Sequence, residues 1–74
     1  MQTINEIIED IKDKISHKIG DRAVLDKDVA KEINITGNRL SIHKKRETIP
    51  YVKVMDWCVL NNVSMKEIFY GDKK

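Results

Sequence analysis

Isoleucine recurs at positions 4, 7, 8, 11, 15 and 19, in steps of three and four. That step is the period of one helical face, so the first twenty residues predict an amphipathic helix with a single apolar stripe. Thr3 and Glu6 precede it as T-x-x-E, a capping box in which each side chain accepts from the other's backbone N–H. Glu6, Glu9, Asp10 and Asp13 fill the remaining positions, and Lys12, Lys14 and Lys18 follow toward the end, in agreement with the helix dipole. Gly20 stops the helix. A face this acidic is a poor partner for nucleic acid, so the helix reads as scaffold.

Residues 20–25 (GDRAVL) form a connection, with Val24 and Leu25 expected in the core. From Leu25 to Arg46 (LDKDVAKEINITGNRLSIHKKR) the pattern predicts two short helices joined by a tight turn. Asp26 is placed to cap the first, and Val29, Ala30 and Ile33 share one face. Asn34 falls where that helix must stop, and asparagine tolerates a left-handed conformation better than most residues with a side chain. Ile35 is apolar inside the turn, as expected of a plug between two helices. Thr36 is a good N-cap for the second helix, whose inward positions are Leu40 and His43 or Lys44. A small residue at Ala30 lets two backbones cross closely. The spacing of Ala30, Ile33, Ile35 and Leu40 is that of a helix-turn-helix.

Pro50 suits the first turn of a fourth helix, where its missing N–H is unpaired anyway. Tyr51, Val54, Met55, Cys58 and Val59 repeat at helical spacing, and the helix is expected to end near Asn61-Asn62. Ser64 and Glu67 make a second capping box, opening a short fifth helix through Ile68, Phe69 and Tyr70 that Gly71 closes. Asp72-Lys73-Lys74 is a polar tail. Scarce proline and glycine, with β-branched residues at helical spacings, make the chain all-α: one five-helix domain over 1–74.

Charge adds what the apolar pattern lacks. The net charge of +2 is small, but residues 1–33 carry eight acids and six bases, and residues 34–74 carry eight bases and four acids. From Asn34 to Arg46 there are four cations (Arg39, Lys44, Lys45 and Arg46) and no acid. A phosphate backbone selects such a distribution. No apolar run approaches membrane-spanning length, and no signal peptide opens the chain. The single cysteine cannot form an internal disulfide, consistent with a cytoplasmic setting.

The run DVAKEINITGNRLSIHKKRETIPYVKVMDWCVLNNVSMKEIFYG resembles the N-terminal DNA-binding domain of phage CI-type repressors. The resemblance rests on V-A-x-x-I-x-I, on the Leu that follows, and on the Lys44-Lys45-Arg46 cluster. It extends through the Ile49-Pro50 helix start to the Ser-x-x-x-hydrophobic-aromatic-x-Gly that ends at Gly71. It covers nearly all of residues 24–71; the first helix agrees only in being amphipathic. Asn34 stands where glycine is usual, and His43 where a large apolar residue is common.

The resemblance implies a lambda-repressor-like fold and a recognition helix of about 36–46 lying in the major groove of a palindromic operator. Thr36, Gly37, Asn38, Ser41, Ile42 and Lys45 then form the base-reading surface. Asn38 is suited to adenine N6 and N7, Lys45 to guanine O6 and N7, and Ile42 to a thymine methyl. Arg39, Lys44 and Arg46 are expected on phosphates, which fix register without reading sequence. The expected partner is double-stranded DNA, bound by a homodimer; members of that family often continue into a C-terminal oligomerising or self-cleaving domain, and the sequence does not show whether this chain does.

Other chemistry is weakly represented. His17, His43 and Cys58 lie in different elements at no metal-binding spacing. No nucleophile with a base and no glycine-rich phosphate loop is evident, so neither an enzyme nor a cofactor is expected. Trp57 falls just off the apolar stripe of its helix. It reads either as core or, with Leu60, as part of a dimer surface. Two rival functions remain at this stage: a helical protein-interaction module that uses its basic helix on an acidic protein, and a DNA-binding antitoxin with a second small protein as partner.

Overall fold

The computed structural model describes residues 1–71, and the polar tail 72–74 lies outside them. Five helices make up all the regular structure among these residues: α1 Ile4–Ile19, α2 Asp26–Glu32, α3 Gly37–Arg46, α4 Tyr51–Leu60 and α5 Met65–Tyr70. Thr3 and Glu6 close the expected box on α1. The Thr3 hydroxyl accepts the Glu6 N–H at 3.2 Å, and the Glu6 carboxylate accepts the Thr3 N–H at 2.8 Å. Ile4, Ile7, Ile8, Ile11 and Ile15 are buried, and each contributes roughly 1.5–3 kcal/mol of apolar burial. Ile19 is only half-buried. Gly20 ends the helix at φ 94°, a conformation that a side chain disfavours.

The connection into α2 differs from expectation in two respects. Leu25 is exposed, while Val24 packs against the core. Asp26 is the first residue of α2 rather than its cap. The Leu25 N–H is instead accepted by Asp28, at 2.8 Å, and Arg22 holds that carboxylate through two bonds of 2.9 Å. Asp26 lies beside two ammonium groups, Lys12 of α1 at 2.8 Å and Lys44 of α3 at 2.5 Å.

Three helices end alike. Asn34, Glu47 and Asn62 take left-handed conformations, with φ of 62°, 56° and 55°. After each, the next N–H reaches back five residues: Ile35 to the Ala30 carbonyl at 2.9 Å, Thr48 to His43 at 3.0 Å, Val63 to Cys58 at 2.8 Å. This is the Schellman closure, which satisfies helix-end carbonyls and turns the chain back toward the core.

The core gathers the α1 isoleucines with Val29, Ala30, Ile33, Leu40, Val54, Trp57, Cys58, Ile68 and Phe69, and no polar side chain is buried among the described residues. On α4, the stripe expected from Tyr51 to Val59 is rotated. Val54, Trp57 and Cys58 are buried, whereas Tyr51 and Val59 are exposed. Pro50 precedes α4 as its N-cap residue, one position earlier than expected. In α5 the Ser64 hydroxyl accepts the Glu67 N–H at 3.4 Å, but the Glu67 carboxylate pairs with Lys14 of α1 rather than turning back to the Ser64 N–H. The residues before α1 are pinned to α5, where the Gln2 N–H donates to the Phe69 carbonyl at 2.6 Å.

Candidate nucleic-acid interface

The turn between α2 and α3 determines how α3 is presented. Ala30 is fully buried, and its carbonyl accepts the Ile35 N–H, so Ile35 folds back onto the core as a plug. Thr36 then caps α3, its hydroxyl accepting the Arg39 N–H at 3.1 Å. Only Leu40 of α3 is fully buried. Asn38, Ser41, Ile42 and Lys45 recur at helical spacing on the side away from Leu40, Gly37 opens the first turn, and all five are exposed. Four of the six positions expected to read bases therefore lie on one open arc of α3, with Thr36 and Gly37 at its N-terminal edge. Ile42 is 43% exposed, an apolar side chain among polar ones.

Arg39 and Arg46 flank that arc and are exposed. Lys44 behaves differently from the role expected of it. It is half-buried, and its ammonium donates to Asp26. His43 is also half-buried and bonds through Nδ1 to the Thr48 hydroxyl at 2.8 Å, tying the last turn of α3 to the loop beyond it.

Ion pairing separates the cations into two sets. Lys12, Lys14, Lys18, Arg22 and Lys44 each pair with a carboxylate. Among the described residues, Lys27, Lys31, Arg39, Lys45, Arg46, Lys53 and Lys66 form no ion pair; six of these seven lie on α2, α3 or α4, and Lys66 lies on α5. Lys27, Lys31, Arg39 and Lys53 surround a shallow open depression of about 610 Å³ at the start of α3, with no acid in its lining. Lys27, Lys31 and Lys53 escape the sequence reading because they belong to three separate turns of two helices. Only the i, i+4 spacing of Lys27 and Lys31 hints at a shared face.

Trp57 is 3% exposed, and its indole N–H donates to Glu32 at 3.1 Å, with Lys18 on the same carboxylate oxygen at 2.8 Å. It is a core residue, and its assignment to a dimer surface is withdrawn. Leu60, its companion in that assignment, is 84% exposed. Burial pushes the Cys58 thiol above its ordinary pKa, so the group is a small neutral hydrophobe. No group of three metal-ligating side chains converges among the described residues, and no described helix is long and apolar enough to cross a membrane. No family model, curated protein or solved structure matches the chain.

Proposed function

We propose that the chain binds duplex DNA sequence-specifically, as a transcriptional repressor of the phage CI type, with α2 and α3 as its helix-turn-helix. The observation that carries this reading is the coincidence of two features on one side of the molecule. The outward arc of α3 holds groups able to read base edges, and six of the seven unpaired cations lie on α3 or on the helices α2 and α4 beside it. Asn38, Ser41, Ile42 and Lys45 face bases in the major groove, with Thr36 and Gly37 at the point of closest approach. Arg39 and Arg46 neutralise phosphates, joined by Lys27, Lys31 and Lys53.

One such helix spans too few base pairs to select a site in a genome, so two copies act on a palindromic operator. Selection of bound sequences from a random duplex library tests the reading. A palindromic consensus is the expected result. Binding without base preference would return the chain to the class of protein-interaction modules, and a small protein co-purifying with it would favour the antitoxin role.

A further inference from the structure

Among the cations of α3, Lys44 alone is tied to a carboxylate. Asp26 holds it at 2.5 Å through one oxygen and holds Lys12 at 2.8 Å through the other. A single side chain at the start of α2 thus links α1, α2 and α3. Hydrogen bonds from Lys12 and then Lys44 keep the Asp26 carboxyl below its ordinary pKa, so it stays charged at neutral pH. It is also not hidden, since the Asp26 side chain is 40% exposed. With Asn5, Ser41, Lys44 and Lys45 it lines an open depression of about 380 Å³ along α3, in which it is the one acid. Ser41 and Lys45 belong to the outward arc, so a negative charge stands at the edge of the surface assigned to DNA.

We propose that Asp26 is a specificity-determining residue: it withholds Lys44 from phosphates and disfavours any docking that places a phosphate over this corner of α3. The inference rests on the DNA reading above. Non-specific binding is driven almost wholly by phosphate neutralisation and is free to shift toward the densest cation cluster. Besides the four cations at the start of α3, the consecutive Lys44, Lys45 and Arg46 would form a second such cluster at its end if Lys44 were free. A carboxylate among them penalises the shifted dockings, while a complex held in register by base contacts keeps the phosphate elsewhere. Lys44 is accordingly a positioning residue, anchoring α3 through Asp26 to Lys12 on the scaffold.

The experiment uses the 74-residue chain, measuring affinity against salt for the selected duplex and for a random duplex of equal length. Asp26→Asn is nearly isosteric and removes only the charge. It should tighten random-duplex binding about tenfold at 0.1 M salt and steepen the log–log slope by about one unit, as one more counterion is released. Affinity for the selected duplex should change far less, so the specificity ratio falls. An unchanged ratio beside a clear consensus would overturn the inference and leave the DNA reading standing. Failure of the native chain to yield a consensus would overturn both. Lys44→Met gives an arm independent of whether Asp26→Asn folds. Its random-duplex slope should match that of the native chain, whereas a slope shallower by about one unit would put a phosphate on Lys44 and sink the proposal.

Discussion

Asn38 and Trp57 show how far one residue's role depends on where its polar group points. Asn38 is exposed in the first turn of α3, where its amide has no internal task. If it reads adenine, Asn38→Ala should cost about 1–3 kcal/mol on the selected duplex and little on random DNA. Equal losses on the two duplexes, measured by titration, would transfer base reading to Ser41 or Lys45. Trp57 points the other way, into the core, with its one donor satisfied by Glu32. Trp57→Phe keeps most of the apolar volume but deletes that charge-assisted bond. Loss of about 1–2 kcal/mol is expected in urea unfolding, with DNA affinity unchanged under native conditions. The indole's place on the helix wheel was legible in the sequence, but its partner was not, because Glu32 lies 25 residues away on another helix.

Helix ends and inter-helix charges hold the elements in place. Glu47 adopts a left-handed conformation at φ 56° that suits glycine better. Glu47→Gly removes that strain and adds backbone entropy to the unfolded chain, so stability should rise by less than about 1 kcal/mol. Asn34→Val places a β-branched side chain at φ 62° and should destabilise by about 1–2 kcal/mol. Urea midpoints that move in the opposite order would show that these turns are not what sets the helix ends.

The acids of α2 act together. Asp26 is held below its ordinary pKa by Lys12 and Lys44, Asp28 by Arg22 and the Leu25 N–H, and Glu32 by Lys18 and Trp57. Folded-state values lower than unfolded ones mean that these groups stabilise the fold fully above their ordinary pKa values of 3.8 and 4.5. The contribution is lost as pH falls through the lowered folded values. Thermal midpoints should therefore hold steady from neutrality down to about pH 5 and drop below about pH 4. Replacing Asp26, Asp28 and Glu32 by their amides should flatten that drop. A triple variant with the native acid profile would assign it to other carboxylates.

At the scale of the whole molecule, shape and charge distribution bear on assembly. The acids Glu6, Glu9 and Asp13 are exposed on α1, whereas six of the seven unpaired lysines and arginines among the described residues lie on α2, α3 and α4. The molecule is therefore electrically polarised, with one side suited to a phosphate backbone. Its extents are 31 × 28 × 18 Å. Two copies centred about 34 Å apart on one face of a duplex touch only at their edges, well short of the roughly 1,000 Å² of a stable interface. The free chain should thus sediment as a monomer or weak dimer and pair cooperatively on a full site. With Trp57 buried, Tyr51 and Val52 at one end of α4 and Val59 and Leu60 at the other are its exposed apolar groups, and Leu60 is the most exposed of them. Leu60→Asp should reduce cooperativity on the full site without altering half-site affinity or thermal stability. Unchanged cooperativity would move the contact to another edge.

Local order determined much of this molecule before any tertiary contact. The isoleucine period, the Thr3–Glu6 box, the Asn34 turn and the Thr36 cap all act within one or two helical turns, where backbone sterics and nearby hydrogen bonds decide the outcome. The outward arc of α3 was legible for the same reason, since spacing alone places those residues opposite Leu40. Distant charges could not be matched in this way. Which lysines pair and which stay free depends on whether a carboxylate from another helix arrives within reach, as Asp26 does for Lys44 and Glu67 for Lys14. The rotation of α4 was likewise decided only on packing. Trp57 buries more apolar surface than Val59 can, and Glu32 supplies an acceptor for its N–H, so the helix turns its indole inward and leaves Tyr51, Val59 and Leu60 outside.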